Sequence, residues 1–148
     1  MRLNLGCSDS IMEGFRNVDI VQPADEIADL SKPWPWKTSS IDYIRAHDIV
    51  EHLPSSIHTF NEMWRVLCRG GRAEVVVPTT DGRGAWQDPQ HCCYYNRNSF
   101  FYFTDGNPHR VRFGDAYGIV ARFKIVGEHT EKLRDEVVKL AIILEAVK

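Results

Sequence analysis

One stretch near the middle of the chain restricts the fold more than any other. Two runs rich in apolar and β-branched residues, Ile41–Ala46 and Arg72–Val77, flank a segment with helical periodicity. Pro54-Ser55-Ser56 supplies its start signal, with either serine as N-cap. Ile57, Phe60, Trp64 and Leu67 then recur at helical spacing and predict one apolar stripe. Gly70-Gly71 reads as a left-handed stop, and Pro78 closes the second run. Strand, helix and strand in this order imply a right-handed crossover and a parallel strand pair.

Three shorter runs precede this unit and read as buried strands: Arg2–Leu5, Asn17–Ile20 and the weaker Glu26–Leu30. Short β-branched runs bounded by turn residues suit a sheet covered on both faces. Near the far end lie two more β-rich runs, Ile119–Val126 and Val137–Val147, separated by the charged stretch 127–136. They predict an antiparallel hairpin closing one sheet edge. Leu140, Ile143, Leu144 and Val147 also fit a helical face, but the strand is the preferred reading. The expected fold is α/β: a Rossmann-like three-layer sandwich, mostly parallel, with a C-terminal antiparallel hairpin. At 148 residues it makes a single domain, residues 1–148.

Several function classes fall away on composition. A net charge of −2 provides no global field for nucleic acid. Arg110, Arg112, Arg122 and Lys124 read as a solvated face. No run of 18 apolar residues offers a membrane span, and the start lacks the pattern of an export signal. Cys7, Cys68, Cys92 and Cys93 have no framework spacing, so they are expected as reduced thiols in a cytoplasmic protein.

The first turn narrows the ligand. Arg2–Leu5 ends in Gly6, where backbone comes close to a ligand or a neighbouring element. Ligands of open parallel sheets bind at the carboxyl ends of strands. The run Gly6-Cys7-Ser8-Asp9-Ser10-Ile11 lacks the second and third glycines of a dinucleotide site, and Asp9 places negative charge there. No Gly-Lys-Ser or Gly-Lys-Thr follows, so a P-loop is excluded. The turn suits a ligand without phosphates. Asp19 ends the second strand, where a carboxylate can accept bonds from a ribose diol. Asp29-Leu30 ends the third, where a carboxylate beside an apolar side chain suits an adenine.

These residues also carry a resemblance. Leu3-Asn4-Leu5-Gly6-Cys7, Gly14-Phe15-Arg16-Asn17-Val18-Asp19, Asp29-Leu30, Trp34-Pro35-Trp36, Glu51-His52-Leu53 and the run from Trp64 to Arg72 are similar, in order and spacing, to class I S-adenosylmethionine-dependent methyltransferases. Within these the chain resembles the small methyltransferase type 11 group, over about residues 2 to 80. The resemblance implies S-adenosylmethionine as cofactor and transfer of its methyl group to an acceptor. It implies that Gly6 and the Cys7 backbone line the methionine part. Asp19, with Ile20 beside it, would hold the ribose, and Asp29 and Leu30 would flank the adenine. His47, just past the fourth strand, would sit beside the cofactor. The family usually has glycine where Ser8 stands. Its members commonly have helices before the first strand, so the chain reads as an N-terminally truncated version of the fold. The links from Gly6 to Asn17 and from Asp19 to Asp29 are short for full crossover helices.

Catalytic candidates lie in Trp86-Gln87-Asp88-Pro89-Gln90-His91, after the fifth strand. Related small methyltransferases often carry a similar Asp-Pro-x-His. His91 is the candidate base when the acceptor is a hydroxyl, and Asp88 would orient it. A turn capped by Asp88, with His91 bonded to backbone, is the competing reading. His52 is the second candidate base. No metal is expected, since His91-Cys92-Cys93 chelates poorly and no C-x-x-C is present. The aromatics from Tyr94 to Phe103 form either an acceptor lid or core, and Asn98-Ser99 could start a short helix among them. A small-molecule or glycan acceptor and a homodimer are expected, without membrane or nucleic acid. Two rivals stand beside the methyltransferase. One is a cofactor-binding module of the same fold that is inactive or needs a partner chain. The other is a nucleotide-sugar or dinucleotide enzyme.

Overall fold

A computed structural model describes all residues 1–148. Seven strands form one sheet: β1 (Arg2–Leu5), β2 (Arg16–Asp19), β3 (Glu26–Ile27), β4 (Ile41–His47), β5 (Leu67–Pro78), β6 (Phe123–Lys132) and β7 (Val138–Ala146). Their spatial order is β3-β2-β1-β4-β5-β7-β6. The first five are parallel, whereas β7 runs antiparallel to both β5 and β6. The expected α/β sheet and edge hairpin are therefore present. β6 starts later than the sequence suggests and continues through the charged residues to Lys132. It is the outermost strand, and exposed charges along an edge discourage pairing with another chain.

The main helix, α1 (Ser56–Val66), lies between β4 and β5 as expected. Ser55 is its N-cap and accepts from the His58 amide at 3.2 Å. Its buried face is Thr59, Phe60, Met63 and Val66; of the anticipated stripe, Phe60 and Leu67 are buried, whereas Ile57 and Trp64 lie at the margins. The glycine pair does not end the helix. β5 begins at once with Leu67 opposite Ile41, and residues 68–71 loop out before Arg72 meets Tyr43. Gly70 takes a positive φ inside that bulge.

Strand alternation splits the sheet into two unlike faces. Along β7 every second residue from Val138 to Ala146 is buried. Leu140, Ile142, Leu144 and Ala146 join Leu3, Leu5, Ile44, Ala46, Ala73 and Val75 in one core with Phe60 and Met63 of α1. The second face carries Tyr43, Arg45 and His47 beside Glu74 and Val76, all half-buried. No helix joins β1 to β2, β2 to β3 or β3 to β4, in keeping with the short links. On this face the third layer is thin: the 6–15 loop lies across it, with Phe15 edge-on to Tyr43 and Arg2 stacked over Phe15.

The segment from Pro78 to Gly118 contains two short helices, α2 (Gly84–Gln87) and α3 (Pro108–Phe113), and a 3-10 stretch at Arg97–Phe103. Asn96 caps that stretch in a capping box with Ser99, just ahead of the anticipated start. Tyr95, Phe100 and Phe103 are core, and Tyr102 stacks on His109. Arg110 departs from the solvated reading. It is buried, and its Nε donates to the Ala121 carbonyl at 3.2 Å.

The Trp34-Pro35-Trp36 loop is pinned by α1. Arg65 donates to the carbonyls of Trp34 (3.0 Å) and Trp36 (2.9 Å) while pairing with Glu62, which accepts from the Trp34 amide (2.7 Å). Arg65→Ala would leave two carbonyls and the mostly buried Glu62 carboxylate short of donors. We expect a loss of about 2 kcal/mol, read by urea denaturation. A loss below about 0.5 kcal/mol would contradict this role.

Candidate functional site

A cleft of about 300 Å³ opens at the carboxyl ends of the parallel strands. It lies where the strand order reverses between β1 and β4, the usual ligand position in such sheets. Its wall takes Gly6 after β1, Asp19 at the end of β2 with Ile20 just beyond it, and Asp29 and Leu30 after β3. The structure thus brings five of the seven residues proposed for a cofactor to one surface.

Each is placed by local chemistry. Gly6 has φ +63°, and a Cβ there would meet Ile49 Cγ1 at 2.6 Å, so glycine is required on two grounds. Asp19 accepts from the Ser8 amide (2.8 Å) through one oxygen and from the Ile20 amide (2.7 Å) through the other. A carboxylate has about four acceptor sites, so each oxygen keeps one for a ligand. Asp29 accepts from the Ser31 hydroxyl (2.6 Å) and amide (2.9 Å), and these bonds hold its carboxyl below the ordinary range. Leu30 is buried beneath it. Ser8 has φ +46°, at the position where the resemblance leads one to expect glycine.

Cys7 and His47 do not line the cleft. Cys7 is buried, its amide bonded to the Val18 carbonyl (3.1 Å). Burial and the nearby Asp19 charge raise its thiol, so it is no thiolate nucleophile. His47 points to the second sheet face, where it meets Glu74 at 2.5 Å. Burial lowers its ring, while the Glu74 bond works in the opposite sense. The alternation along β4 carried the signal: with Ile44 and Ala46 buried on one face, His47 must face the other.

Six contributors were not assigned to the site from the sequence. Ala28 and Ser31 flank Asp29 and Leu30, Ile49, Leu53 and Pro54 come from the connection after β4, and Gln90 comes from the segment after β5. They converge only in three dimensions. Glu51-His52-Leu53 was the one motif in that region.

The three catalytic candidates sit beside the cleft around a second hollow of about 220 Å³, lined by Asp48, Glu51, His52, Asp88, His91 and Lys139 among others. His52 is the one residue lining both spaces. Its ring meets that of His91 edge-on, with centroids 4.8 Å apart. Asp88 does not orient His91. Its Oδ1 accepts from the Gln90 amide (2.8 Å) and its Oδ2 lies 3.9 Å from His91 Nε2, beyond hydrogen-bond reach. The Ala85 carbonyl, 2.9 Å from Nδ1, orients the ring instead. Glu51 is only 2% exposed, and its Oε2 has no hydrogen-bond partner. Burial pushes its carboxyl up to about 7. In the same segment, Trp86 (60% exposed) stacks on Tyr94 (47% exposed) with centroids 4.7 Å apart.

Electrostatics separates the ligands that the cleft could take. Asp19 and Asp29 are its charged side chains, and neither lysine nor arginine lines it. A diphosphate would meet two carboxylates, whereas a cationic ligand gains from them.

No protein-family model matches the chain, and no curated protein sequence does. Solved structures do match. A SAM-dependent methyltransferase from Methanosarcina mazei shares 13% identity over 99% of this chain and 92% of its own, with a TM-score of 0.69. The 1,6-didemethyltoxoflavin-N1-methyltransferase of Burkholderia thailandensis was solved with 1,6-didemethyltoxoflavin and S-adenosylhomocysteine bound. It shares 13% identity over 99% of this chain and 71% of its own, with a TM-score of 0.66. The [4+2]-cyclase SpnF shares 11% over 99% and 74%, with a TM-score of 0.67. At such identities the likeness is one of architecture: the chain has the fold of the class I S-adenosylmethionine-dependent methyltransferases.

Proposed function

We propose that the chain is an S-adenosylmethionine-dependent methyltransferase acting on a small-molecule or glycan acceptor. One observation carries the reading. Asp19 presents two free acceptor positions inside a cleft that has two carboxylates and no basic side chain. A ribose diol matches the first feature and a sulfonium the second. When bound, the cofactor supplies an electrophilic methyl group. In this reading Gly6 lets the methionine part lie close to the chain, and Asp29 and Leu30 hold the adenine. Cys7 takes part through its backbone alone, and His47 has no direct role.

The chain's part in the transfer is alignment and exclusion of water. His52 and His91 engage the acceptor in this reading: His52 lines both the cleft and the adjoining hollow, and His91 lines the hollow with its ring against that of His52. Asp88 shapes the turn that carries His91. The exposed Trp86–Tyr94 stack supports a flat or sugar-like acceptor, since such faces bind rings by stacking. A cytoplasmic location goes with this reading and accords with four free cysteines. So does a homodimer, checked by light scattering. Neither membrane nor nucleic acid enters it, and no helix is long and apolar enough to cross a membrane.

Calorimetry on Asp19→Ala tests the assignment. Losing two charge-assisted hydrogen bonds should weaken S-adenosylmethionine binding about 100-fold. Unchanged affinity in a folded variant would reject Asp19 as the ribose ligand.

A further inference from the structure

The geometry points to a divalent metal site formed by Glu51, His52 and His91, selective for zinc-like ions. The ligand atoms of the three residues all lie within 4.8 Å of one another. They come from the connections after β4 and after β5, so no local spacing announces them.

Three observations support a cation there. First, Glu51 is 2% exposed and its Oε2 lacks any partner while lining the hollow with both histidines. A buried carboxylate oxygen without a donor is costly, and a cation satisfies it directly. Second, His91 is prepared as a ligand. The Ala85 carbonyl can only accept, so the proton of His91 sits on Nδ1 and the lone pair on Nε2. A backbone carbonyl on the far nitrogen is the usual outer support of a metal-bound histidine. Third, the one cation nearby, Lys139, is committed to Asp48 at 2.5 Å.

Two imidazoles and one carboxylate form a ligand set typical of catalytic zinc, which keeps a fourth position open. Bonds of about 2.1 Å put tetrahedral ligands about 3.4 Å apart, so the widest separation in the cluster must contract by about 1.4 Å. The hollow leaves room for a water or an acceptor hydroxyl as fourth ligand. This last point rests on the methyltransferase reading; the metal site does not. A hydroxyl bound there would lose its proton more readily, which explains two histidines beside the cleft without a carboxylate to orient them.

The test is zinc binding in the absence of cofactor. The protein is stripped with a chelator and carries Cys92→Ser and Cys93→Ser, to remove adjacent thiols. Zinc chloride titrated by calorimetry should bind one to one. At 100 times its Kd it should raise Tm by roughly 8 °C. Glu51→Gln and His52→Asn should each weaken binding at least about tenfold. Glu51→Gln replaces a buried carboxyl by a neutral group of the same shape, so it serves as the folded variant. No saturable zinc binding, or binding unchanged in both variants, overturns the site. S-adenosylmethionine affinity measured without zinc separates that failure from a failure of the methyltransferase reading.

Discussion

Phe60→Ala lowers stability by about 4 kcal/mol, with a fall in Tm of roughly 10–15 °C. Phe60 is fully buried on α1 and its ring touches three others. Tyr95 and Phe100 lie edge-on at 6.1 and 5.7 Å, and Phe103 lies tilted at 4.5 Å. The variant loses the transfer free energy of a large ring, and three aromatic neighbours face the void. A domain holds only about 5–15 kcal/mol in reserve, so this one ring is a large share of it. The result also decides what the aromatic segment after β5 is. A mobile acceptor lid would barely depend on Phe60. A loss below about 1.5 kcal/mol in calorimetric unfolding would favour the lid over the core.

Gly6→Ala should cost about 3 kcal/mol, and Gly14→Ala only about 1 kcal/mol. Both glycines have positive φ, +63° and +77°. A Cβ on Gly14 meets nothing within 4 Å, so its penalty is that of backbone conformation alone. A Cβ on Gly6 meets Ile49 Cβ at 2.7 Å as well as Cγ1 at 2.6 Å. The contact involves the root of the Ile49 side chain, so rotating its far end gives no relief and the β4 connection must move. That movement displaces one wall of the cleft, so cofactor affinity should fall with stability. Urea denaturation of both variants checks the difference. Equal losses would show that Ile49 yields freely and that the close approach does not shape the cleft.

Much of this architecture was legible because it is local. The unit β4–α1–β5 follows from one cap, one periodicity and one terminal proline. The edge hairpin follows from two β-rich runs. That Gly6, Asp19, Ile20, Asp29 and Leu30 meet at one cleft was legible because strand ends in a parallel sheet share one rim, so position along the chain implies position in space. Features that depend on orientation were harder. The buried face of α1 takes in Met63 and Val66 besides Phe60, and the rings that pack on Phe60 arrive from residues 95–103, which no window of α1 reveals. Gly70 sits in a bulge because β5 pairs with Ile41 before its register shifts. The orphaned oxygen of Glu51 had no sequence signal, since its neighbours arrive from residue 91.

The most direct test of the central claim is competition for the cleft between a sulfonium and a dinucleotide. Isothermal titration calorimetry of the native chain with S-adenosylmethionine, S-adenosylhomocysteine and NADH makes that comparison. Asp19, Asp29 and the lack of a basic lining predict micromolar binding of the first two and none of NADH, a difference of at least about 4 kcal/mol. Binding of NADH, or no binding of S-adenosylmethionine by the folded chain, would contradict the proposed function.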